Sequence, residues 1–248
     1  MATPLPLRPR SATEIVDAAF QLYRRDPMTY LLVSAVCYAP VLVLQLVTQG
    51  ATAQLTPEAI QAAWPNTLMI AVGYWISLSF MSAVIVRLCS EDYFGRRLDP
   101  AAAVQEAVRR LPAVMLGILL KYILMIVGFL FFIVGMLYVV ARYFAVTPSI
   151  VLERRGVFAA FGRSALLSRG QKLHILFTSF LALVIFLVVY FAVIILAATT
   201  GSSVIITVLT DAVSIIAYPL FAITEMLLYY DARVRNEGLD IEMMAEGL

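Results

Sequence analysis

Histidine occurs once in the 248 residues, at position 174, and cysteine twice, at 37 and 89. One histidine excludes a multi-histidine zinc site and leaves a hydrolase a single imidazole base. Cys37 falls inside an apolar run and Cys89 at the end of the next, with neither disulfide context nor metal-like spacing, so both read as small apolar side chains. No glycine-rich phosphate loop of Walker or Rossmann form is present. The serines beside Gly201 read as a turn between two apolar runs, not a nucleophile elbow. The residues therefore predict no enzyme, no metal and no cofactor. Charge is also sparse: 14% of residues are Asp, Glu, Lys or Arg, where soluble domains carry about 25%. A net charge of +2 offers no footprint for nucleic acid.

What the chain has in abundance is apolar length. It is 62% hydrophobic, with a mean hydropathy of +0.91, which describes a polytopic membrane protein. Pro112 to Leu152 holds no acidic residue and two charges, Lys121 and Arg142. Since about 20 apolar residues cross ~30 Å of hydrocarbon, this run is a membrane hairpin, with its turn expected at Ile133-Val134-Gly135. The whole chain reads as one all-α integral membrane domain, 1–248, with six spans near 27–49, 66–88, 112–133, 135–152, 173–199 and 203–230. The remaining Lys and Arg residues precede the first span, lie between the second and third or the fourth and fifth, or close the chain. With six spans they share one face, which the positive-inside rule makes cytoplasmic along with both termini. The expected location is a bacterial inner membrane.

Three amphipathic segments accompany the spans. Ser11-Ala-Thr-Glu14 fits a capping box opening a helix over 11–25, with Ile15, Val16, Ala19, Phe20, Leu22 and Tyr23 on one stripe. A second starts at Asp99-Pro100 and ends in Arg109-Arg110, and a third covers Val157 to Arg169. Thr56-Pro57-Glu58 should open a short helix running to Trp64. Each basic amphipathic helix precedes an outward and a returning span, so a threefold helix-span-span repeat is expected. The tail from Asp231 reads as polar and outside the bilayer, and His174 as a headgroup-level side chain.

The sixth span carries Thr207, Asp211, Ser214, Tyr218, Glu225 and Tyr229 on one helix face. Lipid offers such groups no partners, so the face should point into the bundle. At ~1.5 Å per residue, Arg142 and Asp211 lie roughly 12 and 15 Å below the outer turns, which pairs them. Lys121 and Glu225 form the second expected pair. Structural ion pairs and a binding site or ion path both account for these residues.

Three stretches carry a likeness: Arg142-Tyr-Phe-Ala-Val-Thr-Pro148 with Glu153, the helix ending Leu-Ser-Arg169-Gly170, and Leu228-Tyr-Tyr-Asp231-Ala-Arg233-Val-Arg235 with Gly238. With the opening Leu7-Arg-Pro-Arg-Ser11, the chain resembles the six-span membrane domain attached to some bacterial glycerophosphodiester phosphodiesterases and related stand-alone inner-membrane proteins. The resemblance implies the six-span topology. The catalytic barrel, with its histidines and metal-binding carboxylates, is absent from this sequence, so no phosphodiesterase activity is carried over. The leading expectation is a non-enzymatic accessory or scaffold protein. It would hold anionic lipid or a membrane-protein partner through Arg24, Arg25, Arg109, Arg110, Arg154, Arg155 and Arg169. The alternative is a small transporter or channel using the intramembrane charges.

Overall fold

Ser11 caps the first helix as its sequence requires: its hydroxyl accepts from the Glu14 N–H at 3.3 Å, and its own N–H donates to Glu14 Oε2 at 2.8 Å. Arg8 closes on the other carboxylate oxygen at 2.5 Å. The structure, a computed structural model, describes residues 8–48, 57–96 and 98–239, with the backbone alone over 57–63. The expected cap at Thr56 and the basic residue Arg97 lie outside the described residues. The helices are α1 (Ala12–Arg25), α2 (Pro27–Thr48), α3 (Pro57–Tyr93), α4 (Pro100–Phe129), α5 (Phe132–Arg142), α6 (Val146–Val151), α7 (Val157–Leu167), α8 (Lys172–Ala198) and α9 (Ser203–Glu237).

Six of these segments are long and apolar enough to cross a membrane: α2, Trp64–Tyr93 within α3, α4, α5 with α6, α8 and α9. Their neighbours in order are α2–α3, α3–α4, α4–α5, α5–α8, α8–α9 and α9–α2, so the six close into a ring. Helix α9 also touches α1, α3 and α7, which makes it the common packing partner. Large apolar side chains such as Phe129, Leu130, Phe132, Val47 and Leu196 stand exposed on the outside. Soluble monomers rarely leave that much apolar surface uncovered, which agrees with six helices long and apolar enough to cross a membrane.

Burial is densest at the arginine-rich end. Ile15 and Leu22 of α1, Ile85 of α3, Ile150 of α6, Leu167 of α7, Ile175 of α8 and Met226 of α9 are all essentially inaccessible. Full burial of such a side chain stabilises by about 1.5–3 kcal/mol relative to water, so α1 is a packed part of the bundle, seated on α8 and α9.

Several boundaries differ from those expected. Two short helices merge with the spans that follow them, so 57–93 and 100–129 are continuous helices with Pro65 and Pro112 inside. Each proline removes one N–H from its helix, and the helix continues through it. The hairpin turn lies at Leu130-Phe131, not at Gly135, and Phe132 leaves it with φ +63°. Gly135 works instead by close approach. A Cβ there would meet the Gly128 carbonyl oxygen at 2.2 Å, and one on Gly128 would meet the Gly135 oxygen at 2.8 Å. Helix α9 also continues past the expected span end at 230, through Asp231 to Glu237, before Gly238 ends it with φ +66°.

The fourth crossing is broken. Pro148 lacks the N–H that would bond the Phe144 carbonyl, and α5 stops at Arg142 before α6 restarts at Val146. Ser164 of α7 splices the gap, its hydroxyl accepting from the Ala145 N–H at 2.9 Å and donating to the Arg142 carbonyl at 3.0 Å.

Candidate intramembrane site

Asp211 sits on the inward face of α9, 5% exposed. It accepts hydrogen bonds from the Tyr38 hydroxyl at 3.0 Å, Gln45 Nε2 at 2.9 Å and the Tyr74 hydroxyl at 3.3 Å. Gln45 also donates to Tyr74 at 2.8 Å. The expected pairing with Arg142 does not form. Arg142 turns the other way, donating to the Tyr138 hydroxyl at 2.9 Å and the Tyr143 hydroxyl at 3.3 Å, with its guanidinium over both rings. Similar depth placed the two residues at one level, but depth says nothing of azimuth around the ring. Three neutral donors satisfy the carboxylate without a second buried charge.

Of the remaining α9 residues, Thr207 lies on the far side of this cluster, and Ser214 and Tyr218 lead from it toward the arginine-rich end. Thr207 is half-buried, and its carbonyl accepts from the Thr210 hydroxyl. Ser214 donates to the Thr210 carbonyl at 3.0 Å and Tyr218 to the Leu78 carbonyl at 3.2 Å. A cavity of about 270 Å³ beside Tyr38, Tyr74, Ser214 and Tyr218 adjoins the Asp211 cluster. Tyr218 and Leu78 also line a second cavity, of about 560 Å³, walled by α3, α4, α5, α6 and α9.

That larger cavity contains both remaining intramembrane charges, Lys121 and Glu225. They do not close into an ion pair, and the Thr147 side chain hydrogen-bonds the Glu225 carboxylate. Glu225 Oε1 is buried and receives no hydrogen bond. Ser82, Trp75 and Tyr122 complete the polar and aromatic lining, and Trp75 Nε1 is itself held by the Met115 carbonyl at 3.2 Å. A ligand-sized cavity is roughly 300–1,000 Å³ with few polar groups in an apolar wall, and this one fits that description.

Sequence reasoning missed Tyr38, Tyr74, Trp75, Ser82 and Thr147. Tyr38 and Gln45 are seven residues apart, two turns along one helix face, and that spacing was the available signal. Trp75 and Ser82 are likewise seven apart along α3, whereas Tyr74 and Thr147 carried no such signal.

At the arginine-rich end the likeness-bearing stretches meet in one polar network. Asp231, 5% exposed, accepts from the Arg10 N–H at 2.7 Å and Arg235 Nε at 2.7 Å, and His174 Nε2 lies 3.2 Å from Oδ2. His174 thus faces a buried acid while remaining partly exposed. Arg235 also donates to the Arg10 carbonyl at 2.6 Å. Tyr93 stacks on Tyr230, 5.3 Å between centroids, and Tyr230 meets Ser90 at 2.7 Å. Glu153 accepts from Tyr229 at 2.6 Å and from Arg163 and Arg155. Burial would raise the Glu153 carboxyl, but the Tyr229 hydrogen bond and the two guanidinium groups outweigh it and hold it below its usual range. Glu237, against the cost of burial and with help from Glu153, raises the Arg163 guanidinium.

Of the expected headgroup residues, three hold a protein partner: Arg154, itself exposed, bonds Glu106 at 3.0 Å, the exposed Arg155 pairs with Glu153, and half-buried Arg25 donates to the Asp92 carbonyl at 3.3 Å. Arg24, Arg109 and Arg169 are exposed and Arg110 half-buried, with no ion pair among the described residues. Among those residues no three His, Cys, Asp or Glu side chains group as a metal would require. Compared with known proteins, the chain matches no family model, no curated protein and no solved structure.

Proposed function

We propose that the protein is a small membrane carrier that takes a polar solute into the chamber at Lys121 and Glu225. The observation that supports this reading is two opposite charges lining one cavity inside a ring of apolar helices without pairing to each other. An ionisable group within a span costs at least ~2.5 kcal/mol on insertion scales, and a purely structural pair recovers that cost by closing. The line of Tyr218, Ser214 and the Asp211 cluster supplies a continuation along α9. The test is uptake into proteoliposomes of radiolabelled sodium, choline and alanine. Uptake above protein-free vesicles, reduced at least tenfold by Glu225→Gln, is expected. No uptake of any probe by folded, reconstituted protein would refute the reading.

Exposed Arg24, Arg109 and Arg169 favour a second role, as a scaffold holding anionic lipid on one leaflet. Replacing these three by glutamine should lower phosphatidylglycerol retained after mild detergent extraction, and unchanged retention counts against it. In both readings the location is a bacterial inner membrane with the arginine-rich end cytoplasmic. The amphipathic segments α1, the start of α4 and α7 then serve as interface helices of a threefold repeat. Outside labelling should reach Ala53→Cys and miss Arg169→Cys, and the reverse would overturn the orientation. The likeness to the phosphodiesterase-associated membrane domain is proposed as kinship of architecture, and no hydrolytic chemistry is proposed with it.

A further inference from the structure

We infer that the solute is a zwitterion, its ammonium seated at Glu225 and its anionic group at Lys121. The inference rests on the chamber being a ligand site, as proposed above, and adds which ligand it takes. Glu225 Oε1 is a buried acceptor to which no protein group donates. Lys121 lines the same cavity without closing an ion pair to it. A cation alone would satisfy Glu225 and leave Lys121 with a second positive charge nearby, and an anion alone would do the reverse. A molecule carrying both charges a few bonds apart pairs each of the protein's charges and adds none.

The lining agrees with that assignment. Thr147 stands at the Glu225 carboxylate and Ser82 and Tyr218 supply further hydroxyls, while Trp75 and Tyr122 put aromatic rings, the side chains that attract an ammonium, in the wall. The chamber's ~560 Å³ accommodates a small amino acid or a phosphoethanolamine group. Leu119 and Tyr122 belong both to its wall and to the exposed surface of α4, so a headgroup could enter from the lipid as well as a solute from water. The shared chemistry is a primary ammonium with a carboxylate or phosphate beside it.

Trp75 reports on the site, since the other tryptophan, Trp64, is exposed and can be replaced by phenylalanine. Quenching of Trp64→Phe protein in nanodiscs would be titrated with alanine, ethylamine and propionate, and native mass spectrometry would compare phosphatidylethanolamine with phosphatidylglycerol. Alanine or phosphatidylethanolamine should bind at least tenfold more tightly than the single-charge probes and phosphatidylglycerol, with Glu225→Gln and Lys121→Met each losing at least tenfold. Binding by alanine assigns a soluble source and binding by phosphatidylethanolamine a lipid one, and either supports the inference. Ethylamine binding as well as alanine, unaffected by Lys121→Met, overturns the zwitterion while leaving the chamber a cation site. If none of the five probes binds, both the zwitterion and the chamber as a ligand site fall. The comparison of probes on otherwise unaltered protein holds even if a charge variant fails to fold.

Discussion

Replacing Asp231 by alanine should loosen the closure of the chain on itself. The side chain is almost fully buried and holds the Arg10 N–H, Arg235 Nε and His174. Losing a buried hydrogen bond from a backbone N–H to a carboxylate costs about 1.5–3 kcal/mol. The Arg235 contact adds only ~0.5–1 kcal/mol, because that guanidinium is a third exposed. The total expected is about 3 kcal/mol, on the order of 6–12 °C in Tm for a chain of this length. Thermal unfolding in detergent measures it, and limited proteolysis before Ser11 should become faster. Arg235→Ala keeps the Arg10 N–H bonded and should cost less than Asp231→Ala. An Asp231→Ala protein within ~2 °C of the parent, or the opposite order of the two variants, would refute the reasoning.

Ser164→Ala leaves the Ala145 N–H and the Arg142 carbonyl of the broken crossing unbridged, and should cost ~1–3 kcal/mol in a detergent unfolding titration. Gly135→Ala drives a methyl into the Gly128 carbonyl, so α4 and α5 must part, and a loss of at least ~2 kcal/mol is expected by the same assay. Glu14 is held at about 2, first by the Ser11 N–H and then by Arg8. Because its folded value is depressed, the cap is complete above its ordinary value of 4.5 and is lost as pH falls through about 2. Hydrogen exchange of the first turn of α1 should accelerate over that window, and Glu14→Gln should abolish the dependence.

The parts legible in the sequence were those set by composition and local chemistry. Apolar length located the six crossings, and Ser11 with Glu14 is a local pattern that forms as read. The inward face of α9 followed from helical spacing because that face carries nearly every polar residue of the span. Relations between helices were not legible. Arg142 could be assigned a depth but not a direction, and aromatic hydroxyls at 138 and 143, one turn and one residue away, captured it first. The break at 143–145 had a cue in Pro148, yet its splice by Ser164, 16 residues further on, depends on how α7 docks. Gly135 looked like a breaker because glycine at a hairpin usually is one, whereas here the absent side chain lets two backbones approach.

The clasp at Asp231 joins residues 221 positions apart. On the ribosome α1 is made well before α8 and α9, the helices it packs against. At ~5–20 residues per second, α1 waits roughly 10–40 s for the later of them, and closing so long a loop adds an entropic cost that grows only logarithmically. Through that interval Ile15 and Leu22 have no core to enter, and the membrane surface is the apolar phase within reach. Docking of α1 is therefore a late event that waits for α9, and a chain truncated before α9 would leave its first helix without its main packing partner.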